Sequence, residues 1–193
     1  MKNYRLMIPF IICLVTTPPI FSNNNYPIIL VHGFLGWGKE EVGDRNYWGG
    51  ENDIEQFLID KGYTVYSVSL GPISSTYDCA VETFYQIKGG QVDYGYNHSK
   101  EYGIERKPKG KVYKGLYTKW DENNPVHLLG YSFGGLTTRM LLHLLNSTFS
   151  VGKSDNLEES SLLGKPLEKW VKSITTMSTP HNGSTLSDIV IGS

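Results

Sequence analysis

The residues best suited to chemistry in this chain are Gly130-Tyr131-Ser132-Phe133-Gly134. A serine with a glycine two residues to either side is the spacing of a nucleophile held on a sharp strand-to-helix turn. Small flanking residues are needed because strand and helix pass too closely there for Cβ atoms. The turn lifts the hydroxyl of Ser132 clear of the backbone, and the helix behind it presents free N–H groups and the positive end of its dipole. The chemistry expected is acyl transfer. Ser132 attacks a carbonyl carbon, and the N–H of Phe133 holds the oxyanion that forms.

Two further segments belong with it. Val31-His32-Gly33-Phe34-Leu35-Gly36-Trp37-Gly38 follows an apolar run directly and is flexible enough for a tight path. An oxyanion hole draws its second backbone N–H from a loop after an early strand, and Phe34 fits that role. Ser178-Thr179-Pro180-His181-Asn182-Gly183 also leaves the end of a strand, the edge at which α/β sheets place their sites. His181 is therefore expected near the site, in a positioning or packing role. A catalytic base follows the nucleophile and an acid, after later strands, and His181 comes too early for that. His127, within a strand, and His143, on an apolar helix face, read as structural histidines.

The elements that must carry these loops can be read from apolar periodicity. Pro27 to Val31, Tyr63 to Leu70, Val126 to Leu129 and Val171 to Met177 are short β-branched and aliphatic runs, expected as strands. Asn52 or Asp53 caps a helix with apolar positions Ile54, Phe57 and Leu58, stopped by Gly62. Ser74 or Ser75 opens a helix running to about Lys88, and a Leu-rich helix spans Gly135 to about Leu145. Alternating strand and helix patterns predict an α/β fold, a mostly parallel sheet with helices on both faces. Residues 91–121 and 146–168 break the rhythm and read as surface excursions.

Composition bounds the class. With 193 residues, 39% hydrophobic and 19% charged, the chain can bury one sizeable core. A formal charge of −1 gives no reason to expect nucleic acid. Lys2 and Arg5 precede about ten apolar residues, Leu6 to Val15, so residues 1–22 read as a secretory signal and 23–193 as the mature domain. That apolar stretch is too short for a stable membrane span. Removing it lowers Lys+Arg from 18 to 16 against 19 Asp+Glu, a net charge of −3. Cys79 would then be the lone cysteine, a small buried hydrophobe rather than a reactive thiol.

Beyond these features, Pro27 to Phe34, Gly36-Trp37-Gly38, Tyr47-Trp48-Gly49-Gly50, Asp53-Ile54-Glu55-Gln56, Gly71-Pro72, Ser74-Ser75 and Val92-Asp93-Tyr94-Gly95 stand in an order that resembles the secreted triacylglycerol lipases of the staphylococcal and thermophilic-bacillus type. The likeness covers most of residues 26–188. It implies an α/β-hydrolase fold, extracellular cleavage of carboxylic esters in lipids, and a lipid substrate or lipid–water interface as partner. By motif match Ser132 is the nucleophile, and Phe34 and Phe133 are the backbone oxyanion donors. The resemblance also places the family's catalytic Asp and His, most of its lid and its calcium ligands in a C-terminal half beyond Ser193, so the domain is expected to be truncated. The family's zinc site has counterparts in Asp78 and His98, but Ile104 stands where the next histidine would be. Two ligands do not make a structural zinc site, so no metal and no cofactor is expected within this chain. Tyr131 and Phe133 replace the usual His and Gln beside the serine, which alters the pocket wall.

Asn97, Asn146 and Asn182 each begin an N-glycosylation sequon, usable if a eukaryote secretes the chain. Seven Lys or Arg residues between Lys100 and Lys119 read as a solvated loop, with a basic face toward anionic lipid as the alternative. Two functional readings follow from the resemblance. One is a lipase-type serine hydrolase, present here as a portion without its triad acid and base. The other is a short paralogue without turnover that binds lipid or a partner.

Overall fold

The computed structural model describes residues 25–39, 41–146 and 160–185. The expected signal at 1–22 and most of the polar connection at 146–168 lie outside these residues. Strands β1 (Ile28–Val31), β2 (Val65–Ser67), β5 (Val126–Tyr131) and β6 (Val171–Met177) form one sheet in the order β2-β1-β5-β6, every pair parallel. A short antiparallel hairpin, β3 (Gly90–Gln91) with β4 (Val112–Tyr113), stands apart from it.

Parallel neighbours require crossover connections, and right-handed crossovers set the layers. The step from β1 outward to β2 runs through α1 (Ile54–Asp60), while the steps from β2 back past β1 to β5, and on to β6, carry α2 (Thr76–Lys88) and α4 (Phe133–Asn146). Opposite directions of travel place α1 on one face and α2 with α4 on the other. Side-chain contacts agree: Ser67 of β2 donates to Glu55 of α1 at 2.5 Å. Ile29, Val31, Val126 and Leu128 point the other way into a core with Val81, Phe84, Leu141 and Leu144. Each large apolar side chain so buried contributes about 1.5–3 kcal/mol. Phe84, Trp120 and Trp170 meet ring to ring in this layer, and Trp120 Nε1 donates to the Trp170 carbonyl at 2.8 Å.

The capping residues act where the sequence places them. Asp53 accepts from Gln56 N–H at 2.8 Å, and Ser75 accepts from Asp78 N–H at 3.0 Å. Two expectations fail. The i, i+3, i+4 face of α1 is not a core face: the helix buries no residue, and Phe57 is 58% exposed. Helix α1 meets the edge strand β2, which is too little surface to cover it. His143 is exposed on α4 rather than packed on its apolar face; His127 bonds Ser173 Oγ at 2.6 Å.

The excursion at 91–121 has more structure than its lack of period implied. It holds α3 (Tyr96–Tyr102) and β4, and it is pinned to α2 by charge. Buried Glu82 accepts from Lys111 Nζ at 2.6 Å and from Tyr94 OH at 2.7 Å. Buried Asp93 holds Arg106 through two bonds, 2.6 and 2.9 Å. Cys79 is buried in α2, and desolvation pushes its thiol up to about 12, so it stays neutral.

Candidate active site

Ser132 is the single residue between β5 and α4. Its φ is +53°, the left-handed region that a residue with a Cβ enters only at a cost of about 1–3 kcal/mol. The turn is held from two sides. Its N–H donates to the Met177 carbonyl at the end of β6, at 2.8 Å, and its own carbonyl accepts from Gly135 N–H at 3.1 Å. The flanking glycines are needed for space. A Cβ on Gly134 would run into the carbonyl oxygens of Val31 and His32, and one on Gly130 into the backbone of Gly134. Helix α4 therefore begins directly against the end of β1.

That contact brings the His-Gly loop to the serine. A Cβ on Gly33 would lie 2.9 Å from the Cβ of Ser132. Among the described residues only three besides glycine have positive φ: Leu35 at +56°, Ser132 at +53° and Ser178 at +49°. One lies in each of the three loops singled out by their sequences, all at the carboxyl ends of adjacent strands β1, β5 and β6. This is the side on which α/β sheets place their sites. Phe34 follows Gly33 in this loop, and Phe133 opens α4. Among the described residues, neither backbone N–H is seen to donate a hydrogen bond.

His181 lies on the loop after β6 and is chemically occupied. Arg139 Nη1 of α4 donates to its Nδ1 at 2.9 Å, so the ring proton sits on Nε2 and faces Thr176 Oγ1 at 3.0 Å. His181 thus ties the end of β6 to α4. None of the hydrogen bonds described joins a histidine to Ser132.

The loop before the elbow is anchored by residues that no local pattern revealed. The N–H of Gly33 donates to Tyr47 OH at 2.9 Å, and the Tyr47 ring contacts His32, Trp37, Trp48 and Tyr131 at centroid distances of 5.3–6.2 Å. Desolvation raises the Tyr47 phenol, which stays protonated. His32 is 3% exposed; its Nε2 accepts from Leu70 N–H at 2.9 Å, and its Nδ1 faces the Gly33 carbonyl at 3.0 Å. Glu41 accepts from Gly38 N–H at 2.6 Å and from Ser69 Oγ, and these bonds hold its carboxyl below the usual range. Leu35 N–H donates to the Pro72 carbonyl at 2.8 Å. Apart from the neighbouring Gly38–Glu41 and His32–Gly33 bonds, hydrogen-bond partners lie 14 to 38 residues away, so no local period could have pointed to them.

Asp78 and His98 do meet, at 2.9 Å, with His98 stacked on Tyr77 at 3.9 Å. They bond each other, and among the described residues no group of three His, Cys, Asp or Glu side chains could hold a metal.

Residues 24–193 match the family described as "Lipase-like, C-terminal domain". The chain belongs to that family. It is 43% identical over 175 residues to a lipase of Staphylococcus epidermidis, covering 86% of this chain and 25% of the relative. Among solved structures, lipase 1 from Pelosinus fermentans matches with a TM-score of 0.80 and 44% identity, over 87% of this chain and 45% of that one. Staphylococcus hyicus lipase matches with a TM-score of 0.79 and 37% identity, over 91% and 46%. The fold is thus that of the α/β-hydrolase lipases, and the lineage is that of lipase-type ester hydrolases. The chain spans about a quarter of the length of the curated relatives, and less than half of the solved lipase chains.

Proposed function

We propose that this chain carries the nucleophile and oxyanion loops of a secreted lipase-type serine hydrolase acting on carboxylic esters of lipids. The observation that carries the reading is Ser132 at φ +53° on a strand–helix turn, with the Gly33 loop packed against it. In the proposed step, Ser132 Oγ attacks the ester carbonyl and passes its proton to a general base. The carbonyl oxygen becomes an oxyanion held by the N–H groups of Phe34 and Phe133. The intermediate collapses, the C–O bond to the alcohol breaks, and the alcohol leaves with the base's proton. Water then hydrolyses the acyl-serine to a carboxylic acid by the same route. The base and its orienting acid come, in this reading, from outside the described residues. No cofactor enters the scheme.

A lipid substrate is supported by the rim of the site. Phe34 and Leu35 are 52% and 59% exposed, and Ile73, next to the Pro72 that holds Leu35, is 74% exposed. Tyr131 and Met177 add apolar surface beside the serine. Among the described residues no helix is long and apolar enough to cross a membrane. The apolar stretch after Lys2 and Arg5 supports export, and sequons at exposed Asn97, Asn146 and Asn182 support glycosylation in a eukaryotic secretory route.

The test is covalent labelling with a fluorophosphonate. In the complete gene product it is expected to modify Ser132, and Ser132→Ala is expected to abolish the adduct. The 193-residue chain alone is expected to label weakly, because among the described residues no base is bonded to the hydroxyl. An adduct that persists in Ser132→Ala would overturn the assignment.

A further inference from the structure

His32 is a buried titratable group next to Gly33, which packs against Ser132, and the proposed reaction does not use it. Its two nitrogens face opposite partners. The Leu70 N–H can only donate, so Nε2 must be the unprotonated nitrogen, and the neutral ring then carries its proton on Nδ1, against the Gly33 carbonyl. One imidazole in one tautomer therefore straps Gly33 to the segment after β2. Leu35 N–H to Pro72 O makes the same connection one turn of the loop further on, and Gly36 is packed so tightly on the ring that a Cβ there would overlap Nδ1. Phe34 lies between these two anchors.

We infer that His32 is a positioning residue for the oxyanion loop, and that protonation at Nε2 unhooks the loop from Leu70. A second proton on the ring would point Nε2–H at the Leu70 N–H, donor against donor, and the strap would open. The inference rests on reading this loop as the oxyanion loop. Among the described residues, two titratable groups are seen beside the ring: Glu41 beyond Gly38, whose charge favours the imidazolium, and Tyr47, an uncharged phenol at 5.5 Å. Burial outweighs the rest and lowers the pKa of His32 from 6.5. The sign follows: the strap is intact above the ordinary imidazole range and is lost as pH falls through the lowered folded value.

The experiment is long-range ¹H–¹⁵N NMR of the ¹⁵N-labelled chain, titrated from pH 8 to about pH 4. At pH 8 the His32 ring is expected to show the Nδ1–H tautomer. The Gly33, Phe34 and Leu70 amides are expected to shift together with the His32 midpoint, and Leu70 amide exchange to quicken by roughly tenfold beyond the intrinsic pH effect, as loss of one hydrogen bond implies. His32→Gln keeps an acceptor for Leu70 N–H and is expected to protect Leu70 without an acid transition, whereas His32→Phe is expected to expose it. An Nε2–H tautomer, or Leu70 and Phe34 amides that ignore the His32 titration, would overturn the inference. The wild-type tautomer decides the matter if either variant fails to fold. Loss of fluorophosphonate labelling at Ser132 with the strap intact would count against the nucleophile alone, so the two failures are distinguishable.

Discussion

Ser132 holds a conformation that costs energy, and that cost is measurable. Glycine adopts φ +53° freely, so Ser132→Gly is expected to stabilise the fold by about 1 kcal/mol in urea unfolding, while removing the hydroxyl. A loss of stability would mean that the turn is not strained by its side chain. Gly134→Ala should do the reverse. Its Cβ meets two backbone carbonyls that cannot give way, and a destabilisation of about 3 kcal/mol is expected. Tyr47→Phe leaves Gly33 N–H without its acceptor and is expected to cost about 1–2 kcal/mol. At this scale the sharp turn at Ser132 was legible, because a loop motif is contiguous and its spacing reports its geometry. The anchors Tyr47, Leu70 and Ser69 were not, since a hydrogen bond across 14 or 38 residues leaves no local period.

Strands and helices were readable to within a few residues because each is built on an apolar repeat and a capping side chain, as at Asp53 and Ser75. What periodicity could not say is how much surface each element finds. Helix α1 has a regular apolar face, yet it lies against an edge strand and stays exposed. The excursion between β3 and β4 shows the converse. It has no apolar period because buried charge holds it. Asp93 is desolvated, yet the bonds from Arg106 and Gly95 N–H win and lower its pKa. A lowered carboxylate stabilises above its ordinary range and loses that contribution as pH falls, so the excursion should loosen below about pH 4. Asp93→Asn is expected to flatten the acid limb of stability against pH, and an unchanged limb would exclude Asp93 as its source. For Lys111, desolvation opposes the charge, but Glu82 and Tyr94 raise its pKa, so the pair persists through neutral pH. Lys111→Met leaves Glu82 buried without its cation and is expected to cost about 3 kcal/mol.

Taken as a whole molecule, the parallel sheet gathers three strained loops at one edge and surrounds them with exposed apolar side chains. Leu35 and Ile73 lie on that rim, outside the reacting atoms. Replacing both with serine is expected to weaken binding to a triacylglycerol emulsion several-fold, on the scale of about 1 kcal/mol per side chain withdrawn from the interface, while leaving the rate of fluorophosphonate labelling unchanged. Equal binding by the variant would remove the rim from the account of substrate preference. The mostly parallel sheet and the lipase lineage were both within reach of the sequence, the first from alternating strand and helix patterns and the second because many short motifs recur in one order. The face that α1 leaves open was not, because burial depends on what stands opposite.

The central claim is that Ser132 is the nucleophile, and mass spectrometry of the fluorophosphonate-treated complete gene product tests it most directly. A single adduct on the peptide containing Ser132, absent from Ser132→Ala, is the predicted result. An unmodified Ser132 in protein that hydrolyses lipid esters, or an adduct mapped to another residue, would contradict it.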